Sequence, residues 1–296
     1  MNFRTDLAIE RREYREKEKL DGVLSSYKKQ KGIEVTTIEI INEKGERLLS
    51  KPEGRYITLE TKSLVLGAEE FTNAVEVLSC ELKKLLPDDG CVLVAGLGNE
   101  DITPDALGPK VLSLLLATRH ISHDLAETLG LGRLRSVAGI IPGVLGKTGI
   151  ETVEIISGIV KKIKPSCVIV IDALASRNVS RLGTTVQMCD TGVEPGSGVG
   201  NRRKGINRRT LGVPVIAIGV PTVVDAVTMA LDVFEKSGIE LKEKQLMSKL
   251  SEHKAMMVTP KEVDNLIDRA AHLIAMAINV ALQPSLTADE IMSIVG

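Results

Sequence analysis

Two aspartates stand at positions where a carboxylate pair can do acid–base chemistry. Asp172 follows the apolar run of residues 167–171, which reads as a buried strand. It therefore lies at the carboxyl edge of the predicted sheet, where open α/β folds bind their ligands. Asp105 lies in the loop after a second apolar run, residues 91–95. If the two strands are neighbours, the carboxyls meet and share a proton, and such a pair can activate water and protonate a leaving amine. The alternative is two ordinary turn aspartates.

Three other patterns that suggest chemistry are incomplete. The glycines of residues 96–98 begin a dinucleotide-binding fingerprint, but the third glycine is replaced by Asp101. Residues 142–148 (PGVLGKT) resemble a phosphate-binding loop, but Ile141 stands where its first glycine is required. A GxSxG nucleophile motif fails at Pro195, and no HExxH motif occurs. These motifs therefore favour neither a nucleotide site nor a serine nucleophile.

The run PGSGVGNRRK at residues 195–204 combines glycines with three cations, Arg202, Arg203 and Lys204. Glycines and cations together can cradle an anion, but no helix pattern follows at once. We therefore expect a surface loop in the first place and a substrate-facing loop in the second.

The composition excludes several classes of protein. Of the 296 residues, 43% are apolar and 26% charged, as in globular enzymes. Only 2% are aromatic and the net charge is -1, which argues against a nucleic-acid partner. Four cysteines without a CxxC pair favour neither a disulfide framework nor a zinc ribbon. The apolar residues 270–282 are too short to span a bilayer, and the amino terminus lacks the apolar core of a signal peptide. We expect a cytoplasmic protein without a membrane partner.

Strand and helix patterns alternate along the chain after residue 90. The predicted strands are residues 91–95, 137–141, 167–171, 186–188 and 215–220, with helical periodicity between most of them. This alternation predicts an α/β fold, with a parallel-rich sheet flanked by helices on both faces. Before it, residues 35–41 and 56–61 alternate as a β-hairpin does. The lysine-rich residues 10–31 predict a solvated helix or a mobile arm.

Several long and unusual segments resemble the germination protease (spore protease) family, in order along nearly the whole chain. They are GLGN at residues 96–99, TPDALGP at 103–109, IDALA at 171–175, DTG at 190–192, PGSGVGN at 195–201, GVPTVVDA at 219–226 and MVTPKEVD at 257–264. The resemblance implies an endopeptidase that degrades small acid-soluble spore proteins in the spore core when germination starts. It also implies a self-processing zymogen, a homotetramer and a fold similar to hydrogenase-maturation endopeptidases.

The resemblance also implies roles for the two aspartates. In the germination proteases, the positions of Asp105 and Asp172 are proposed as an aspartic-type catalytic pair. In the hydrogenase-maturation relatives, acidic residues at these positions bind a metal, so a metal role stays open. Hard oxygen ligands without nearby cysteine or histidine argue against a tight zinc site. We expect no metal and no cofactor.

The amino terminus resembles the family's substrate site. Residues 5–10 (TDLAIE) place an acidic residue before an apolar one, then alanine, a variable residue and glutamate. This predicts a cut between Asp6 and Leu7, with residues 1–6 as propeptide and 7–296 as peptidase domain. A chain end leaves the protein body at little cost. The carboxylate before the cut implies a cationic contact, for which Arg202, Arg203 and Lys204 are the candidates. Six residues are fewer than in the pro-segments typical of the family.

Two other functions remain as alternatives. One is a metal-dependent maturation peptidase for another protein, which chelators would inactivate. The other is a non-enzymatic α/β ligand-binding module with its site at the glycine loops, which would leave a spore-protein substrate intact.

Overall fold

The computed structural model describes residues 4–15, 20–62, 64, 67–198, 200, 203–237 and 256–295. Its strands are β1 (Val23–Gln30), β2 (Ile33–Ile40), β3 (Gly54–Glu60), β4 (Val92–Gly96), β5 (Val137–Ile140), β6 (Cys167–Ser176), β7 (Thr185–Cys189), β8 (Val215–Asp225) and β9 (Met257–Val258). Its helices are α1 (Ala8–Tyr14), α2 (Glu43–Leu49), α3 (Ala68–Lys83), α4 (Leu107–Ser113), α5 (His123–Thr128), α6 (Leu145–Thr148), α7 (Thr152–Ile163), α8 (Arg208–Leu211), α9 (Ala226–Lys236), α10 (Val263–Leu282) and α11 (Ala288–Val295).

The strands form one mixed sheet in the order β1-β2-β3-β7-β8-β6-β4-β5, with β9 paired to the end of β8. Strands β5, β4, β6 and β8 run parallel to one another. The pairs β1-β2, β2-β3, β3-β7, β7-β8 and β8-β9 are antiparallel. The predicted α/β class and the amino-terminal hairpin region are confirmed. The parallel arrangement is confined to one half of the sheet.

Helices cover both faces of the parallel half, as predicted. Helices α3, α4 and α10 pack on one face, and α7 and α8 on the other, because successive residues of β4, β6 and β8 point to opposite sides. Helix α10 is long and apolar enough to cross a membrane by length and composition, and 72% of its apolar window is buried. It packs in the core against α3.

The lysine-rich region before β2 differs from the prediction of a solvated helix or arm. It contains α1 and then β1, an edge strand that pairs along its length with β2. A two-residue turn joins them, in which Lys31 and Gly32 both have positive φ (50° and 82°). Such turns match the twist of a hairpin, and lysines on an edge strand oppose pairing with other chains. The lysine-rich pattern that suggested a solvated helix or arm is therefore largely that of an exposed edge strand.

Unequal strand lengths make room for the site. Strand β4 ends at Gly96, opposite Ile171 of β6. Strand β6 was expected to end there, but it continues to Ser176 because β8 extends beside it. Asp172 is thus the first residue of β6 beyond the end of β4. The space above β4 is left for the loop that carries Asp105.

Candidate active site

A short 3-10 helix, Thr103–Asp105, carries the first aspartate of the predicted pair. Its carboxylate accepts a hydrogen bond from the backbone N–H of Asn99 (2.8 Å). The Thr222 hydroxyl of β8 donates to the carbonyl of Pro104 (2.8 Å) and ties the loop to the sheet. Asp105 is therefore held from both sides rather than carried on a free turn.

Two glycines after β4 allow this close packing. A Cβ at Gly98, where φ is +108°, would lie 1.9 Å from the carbonyl oxygen of Asp105. A Cβ at Gly96 would lie 2.3 Å from the carbonyl oxygen of Gly108 in α4. The glycines that resembled a dinucleotide fingerprint thus serve the approach of the loop and helix to the strand.

The second aspartate, Asp172, is buried in β6 with a relative exposure of 9%. It pairs with Gly219 of β8. A Cβ at Gly219 would lie 2.7 Å from the Asp172 carbonyl oxygen, so the two strands approach closely here. Asp172 and Asp105 line the same cavity, of about 950 Å³, as the sequence predicted from adjacent strands.

The two carboxyls differ in how readily they ionise. Burial raises the pKa of Asp172 well above its ordinary value, and the charges of Asp105 and Asp6 raise it further. Burial also raises the pKa of Asp105, although the hydrogen bond from Asn99 opposes this change. Because two neighbouring carboxylates do not ionise together cheaply, Asp172 keeps its proton at a pH where Asp105 is charged. Of the two carboxyls, Asp172 is therefore the harder to ionise.

The amino-terminal segment lies in this cavity instead of extending into solvent. Arg4, Thr5 and Asp6 line the cavity, and the residues from Leu7 to Glu10 are at most 4% exposed. The expectation of a chain end that leaves the body at little cost is therefore wrong for this conformation. Leu7, Ala8 and Ile9 form a buried cluster with β2, β3 and the end of β6.

Asp6 is bound through both its backbone and its carboxylate. Its N–H donates to the carbonyl of Ala175 (2.8 Å), and the Ala175 N–H donates to its carboxylate (2.9 Å). The Ser197 hydroxyl donates to the second carboxylate oxygen (2.8 Å). A Cβ at Gly198 would lie 2.1 Å from this carboxylate. The glycine loop, expected first as a surface loop, therefore receives an anion.

Glu10, four residues after Asp6, occupies a second anion site. Its carboxylate accepts hydrogen bonds from the backbone N–H groups of Arg177 (2.7 Å) and Asn178 (2.9 Å). The Arg181 guanidinium lies 3.5 Å from it and also pairs with Glu13 and Glu60. The two acidic positions of the substrate-like pattern are thus both bound by the protein.

Comparison with known proteins agrees with the sequence motifs. The family model described as germination protease matches residues 4–255. A germination protease of Caldanaerobacter subterraneus subsp. tengcongensis is 44% identical, over 98% of this chain and 97% of the relative. One of Bacillus pumilus is 39% identical, over 98% and 96%.

The chain is a member of the germination protease family. Membership makes it a peptidase, a hydrolase, associated with spore germination. Among solved structures, the chain is similar to a [NiFe] hydrogenase maturation protease, HycI, from Thermococcus kodakarensis KOD1. That similarity has a TM-score of 0.37 and 16% identity, and covers 67% of this chain and 98% of the other.

Two of the three cations predicted to contact the substrate carboxylate lie elsewhere. Arg203 and Lys204 are exposed and do not line the cavity that holds Asp105 and Asp172. Arg202 lies outside the described residues. Ser197 and the Ala175 N–H bind the Asp6 carboxylate directly. Neither Arg203 nor Lys204 is therefore among the donors to this carboxylate, and hydrogen-bond donors without a charge can also bind a carboxylate.

Two residues that the sequence did not single out contact the segment at the predicted cut. Lys51 follows the end of α2, and Gln187 lies in β7. Both donate to the carbonyl oxygen of Asp6, at 2.8 and 3.2 Å. No motif marks either residue, because each reaches the site through the antiparallel half of the sheet.

The donor set does not fit a tightly held metal. Among the described residues, no group of three or more His, Cys, Asp or Glu side chains is arranged to hold one. Asp105 and Asp172 alone supply fewer ligands than a zinc site takes. We therefore derive no chemical step through a metal.

Proposed function

We propose that this member of the family is an aspartic-type endopeptidase that cleaves small acid-soluble spore proteins at germination, and that it trims its own amino terminus. One observation carries the proposal. Thr5 and Asp6 of the chain's own substrate-like segment line the cavity that holds Asp105 and Asp172, and the carboxylates of Asp6 and Glu10 are both bound by the protein. A spore protein with the same acidic-apolar-Ala-x-Glu pattern would use the same contacts.

The two carboxyls divide the chemistry. Asp105, the readier to ionise, takes a proton from water as the water oxygen bonds to the carbonyl carbon. Asp172, which keeps its proton, gives it to the amide nitrogen as the C–N bond breaks. The products are a carboxylic acid and an amine, and the proton gained by Asp105 returns to Asp172 before the next turnover.

The pair is tested by Asp105→Asn and Asp172→Asn in the full chain, with a purified small acid-soluble spore protein as substrate. Each change removes a proton-transfer group at nearly constant size, so cleavage followed on gels should fall by about 10²–10⁴-fold. Asp101→Asn is the matched control, because Asp101 lies in the same loop but is exposed and paired with Lys147. A folded Asp105 or Asp172 variant with wild-type turnover would show that the pair is not catalytic.

Self-processing is tested on the same proteins. Mass spectrometry before and after incubation at mildly acidic pH should show a new terminus at Leu7, and the Asp172→Asn chain should stay intact. Trimming of that variant at the wild-type rate would exclude self-processing. Loss of activity with chelators, restored by a divalent metal, would favour the metal-dependent maturation peptidase instead.

The wider setting of the protein follows from the family resemblance. We propose that residues 7–296 act as the mature peptidase, as a homotetramer in the spore core cytoplasm, with no membrane or nucleic-acid partner. Light scattering coupled to size exclusion gives the oligomeric state directly. A monomer at micromolar concentration with full activity would exclude a required tetramer.

A further inference from the structure

The carbonyl oxygen of Asp6 receives two hydrogen bonds from side chains. Lys51 Nζ donates at 2.8 Å and Gln187 Nε2 at 3.2 Å. This carbonyl belongs to the peptide bond between Asp6 and Leu7, at which the cut is proposed. Water attack on it would create a negative oxygen at the point where these donors converge.

The orientation of Gln187 is determined by a second contact. Its Oε1 accepts a hydrogen bond from the backbone N–H of Ala8 (2.7 Å). The Ala8 N–H needs an acceptor, so the Gln187 amide presents its oxygen to Ala8. Its NH₂ group is thereby directed toward the Asp6 carbonyl. Gln187 therefore holds the chain on both sides of the Asp6–Leu7 bond.

Lys51 directs its ammonium at a neutral carbonyl rather than at a carboxylate. Burial lowers the pKa of Lys51, whereas the Asp6 charge raises it. A half-buried cation is costly unless its surroundings compensate it. The compensation is largest when the carbonyl oxygen becomes negative, which is the state that a peptidase must stabilise.

The neighbouring contacts set the register of the segment. Asp6 exchanges two hydrogen bonds with Ala175, and Ser197 holds its carboxylate. The residue before the cut is thereby locked, with its carbonyl at Lys51 and Gln187. The leaving nitrogen, that of Leu7, donates to the Thr5 hydroxyl (3.0 Å) and is also fixed.

We propose that Lys51 and Gln187 form the oxyanion-binding site of this peptidase and are catalytic residues for self-processing and for substrate cleavage. The inference rests on the proposed function and extends it. The aspartates supply the base and the acid, but the developing oxyanion needs donors of its own. Lys51 and Gln187 supply them from the opposite half of the sheet.

The test measures the first-order rate of self-processing in full-length variants at mildly acidic pH, by mass spectrometry. Lys51→Met removes the ammonium at similar length. Gln187→Glu keeps an acceptor for the Ala8 N–H but loses the donor to the carbonyl. Each should slow the cut by about 10²–10³-fold, the usual effect of losing an oxyanion donor. Lys51→Arg keeps the cation and should recover part of the rate.

The control is Lys44→Met, which removes an exposed lysine in α2 that pairs with Asp21. Its rate should equal that of the wild type. Limited trypsin digestion near Arg11 reports whether the segment stays bound in each variant. A catalytic role predicts a protected segment that is cut slowly. A structural role predicts a released segment in the Lys51 variant and no rescue by arginine.

The outcomes separate the two proposals. If the wild type is cut, the Asp172→Asn chain is intact and Lys51→Met is cut at the wild-type rate, the oxyanion assignment alone is wrong. A segment that is released in Lys51→Met and Gln187→Glu also overturns it. If the wild type stays intact, or if Asp172→Asn is trimmed equally, the proposed self-processing fails together with this inference.

Discussion

The two halves of the sheet contribute different groups to the site. The parallel half, β5, β4, β6 and β8, carries Asp105 in the loop after β4 and Asp172 in β6. The antiparallel half, β1, β2, β3 and β7, carries Gln187 in β7, and Lys51 precedes β3. The two aspartates that we propose as proton-transfer groups thus come from the parallel half. The segment to be cut is bound from both halves, by Lys51 and Gln187 on one side and by residues 175–178 at and after the end of β6 on the other.

This division follows from strand geometry. Parallel strands end at one edge, so side chains that follow them converge on a small region above the sheet. Antiparallel strands place side chains along their length, where an extended peptide can lie beside them. Reactive groups must lie close together, which strand ends at one edge allow. Recognition of several residues of a peptide needs contacts spread along its length, which a strand beside it provides. Changes near the aspartates or at the Lys51 and Gln187 donors should therefore slow the chemical step, and changes at the groups that hold the Asp6 carboxylate should weaken recognition.

The largest effect that would sharpen this contrast is expected from Gly98→Ala. The new Cβ would meet the Asp105 carbonyl oxygen at 1.9 Å and must displace the loop. Because a shift of about 1 Å in a catalytic group can cost about 10²-fold, cleavage should fall to that extent. Gly130→Ala is the matched control, since Gly130 also has a positive φ (+69°) but open space around it. Equal activities for the two variants would show that the position of Asp105 does not matter.

A smaller effect is expected from Ser197→Ala, which removes one donor to the Asp6 carboxylate. A hydrogen bond to a charged group contributes about 1.5–3 kcal/mol, so self-processing should slow about 10–100-fold. This loss of rate should depend on the presence of the Asp6 carboxylate. Combined with Asp6→Asn, the Ser197 change should have little further effect. Additive losses in the double variant would mean that Ser197 does not recognise this side chain.

A third prediction concerns the stability of the Asp172→Asn variant, because the buried Asp172 carboxyl destabilises the folded protein when it ionises. The pKa of Asp172 is raised in the folded state, so its contribution to stability is present below the ordinary carboxyl pKa and is lost as pH rises through the raised value. Asparagine stays neutral and avoids that loss. Denaturant unfolding at pH 7 should show a variant more stable by about 0.5–2 kcal/mol.

The same measurement below about pH 4 should show the difference shrinking, because both forms are then neutral. A variant that is less stable than the wild type at pH 7 would contradict the raised pKa. Asp101→Asn, at an exposed position, should change stability little at either pH.

The smallest effect is expected from replacing all four cysteines by alanine. Burial raises the pKa of Cys167 to about 11 and also raises that of Cys189, so both are neutral thiols at pH 7. Buried thiols act as small apolar side chains. Activity on a spore-protein substrate should stay within a few-fold of wild type, with lower stability. A folded but inactive variant would show that a thiol takes part in the reaction.

The parts of the fold and site that could be predicted are those with local signals. Apolar runs identified β4 and β6, and because the two strands are neighbours, as the prediction required, Asp105 and Asp172 lie at one edge. Strand β1 was missed, because its lysines suit an exposed sheet edge as well as a solvated helix. The hairpin of residues 35–41 and 56–61 was predicted, but its antiparallel pairing with β7 was not, since nothing in residues 56–61 indicates a partner so remote along the chain.

The sequence by itself determined that each aspartate follows a buried strand and that residues 5–10 have a substrate-like pattern, because each of these features is written in a short stretch of chain. Only the tertiary structure brought Lys51 and Gln187 to the Asp6 carbonyl, across separations of 45 and 181 residues. Those contacts depend on the register of β3 with β7 and of β7 with β8. A shift of one residue would turn Gln187 to the opposite face of the sheet, and that register is set by packing of the whole sheet.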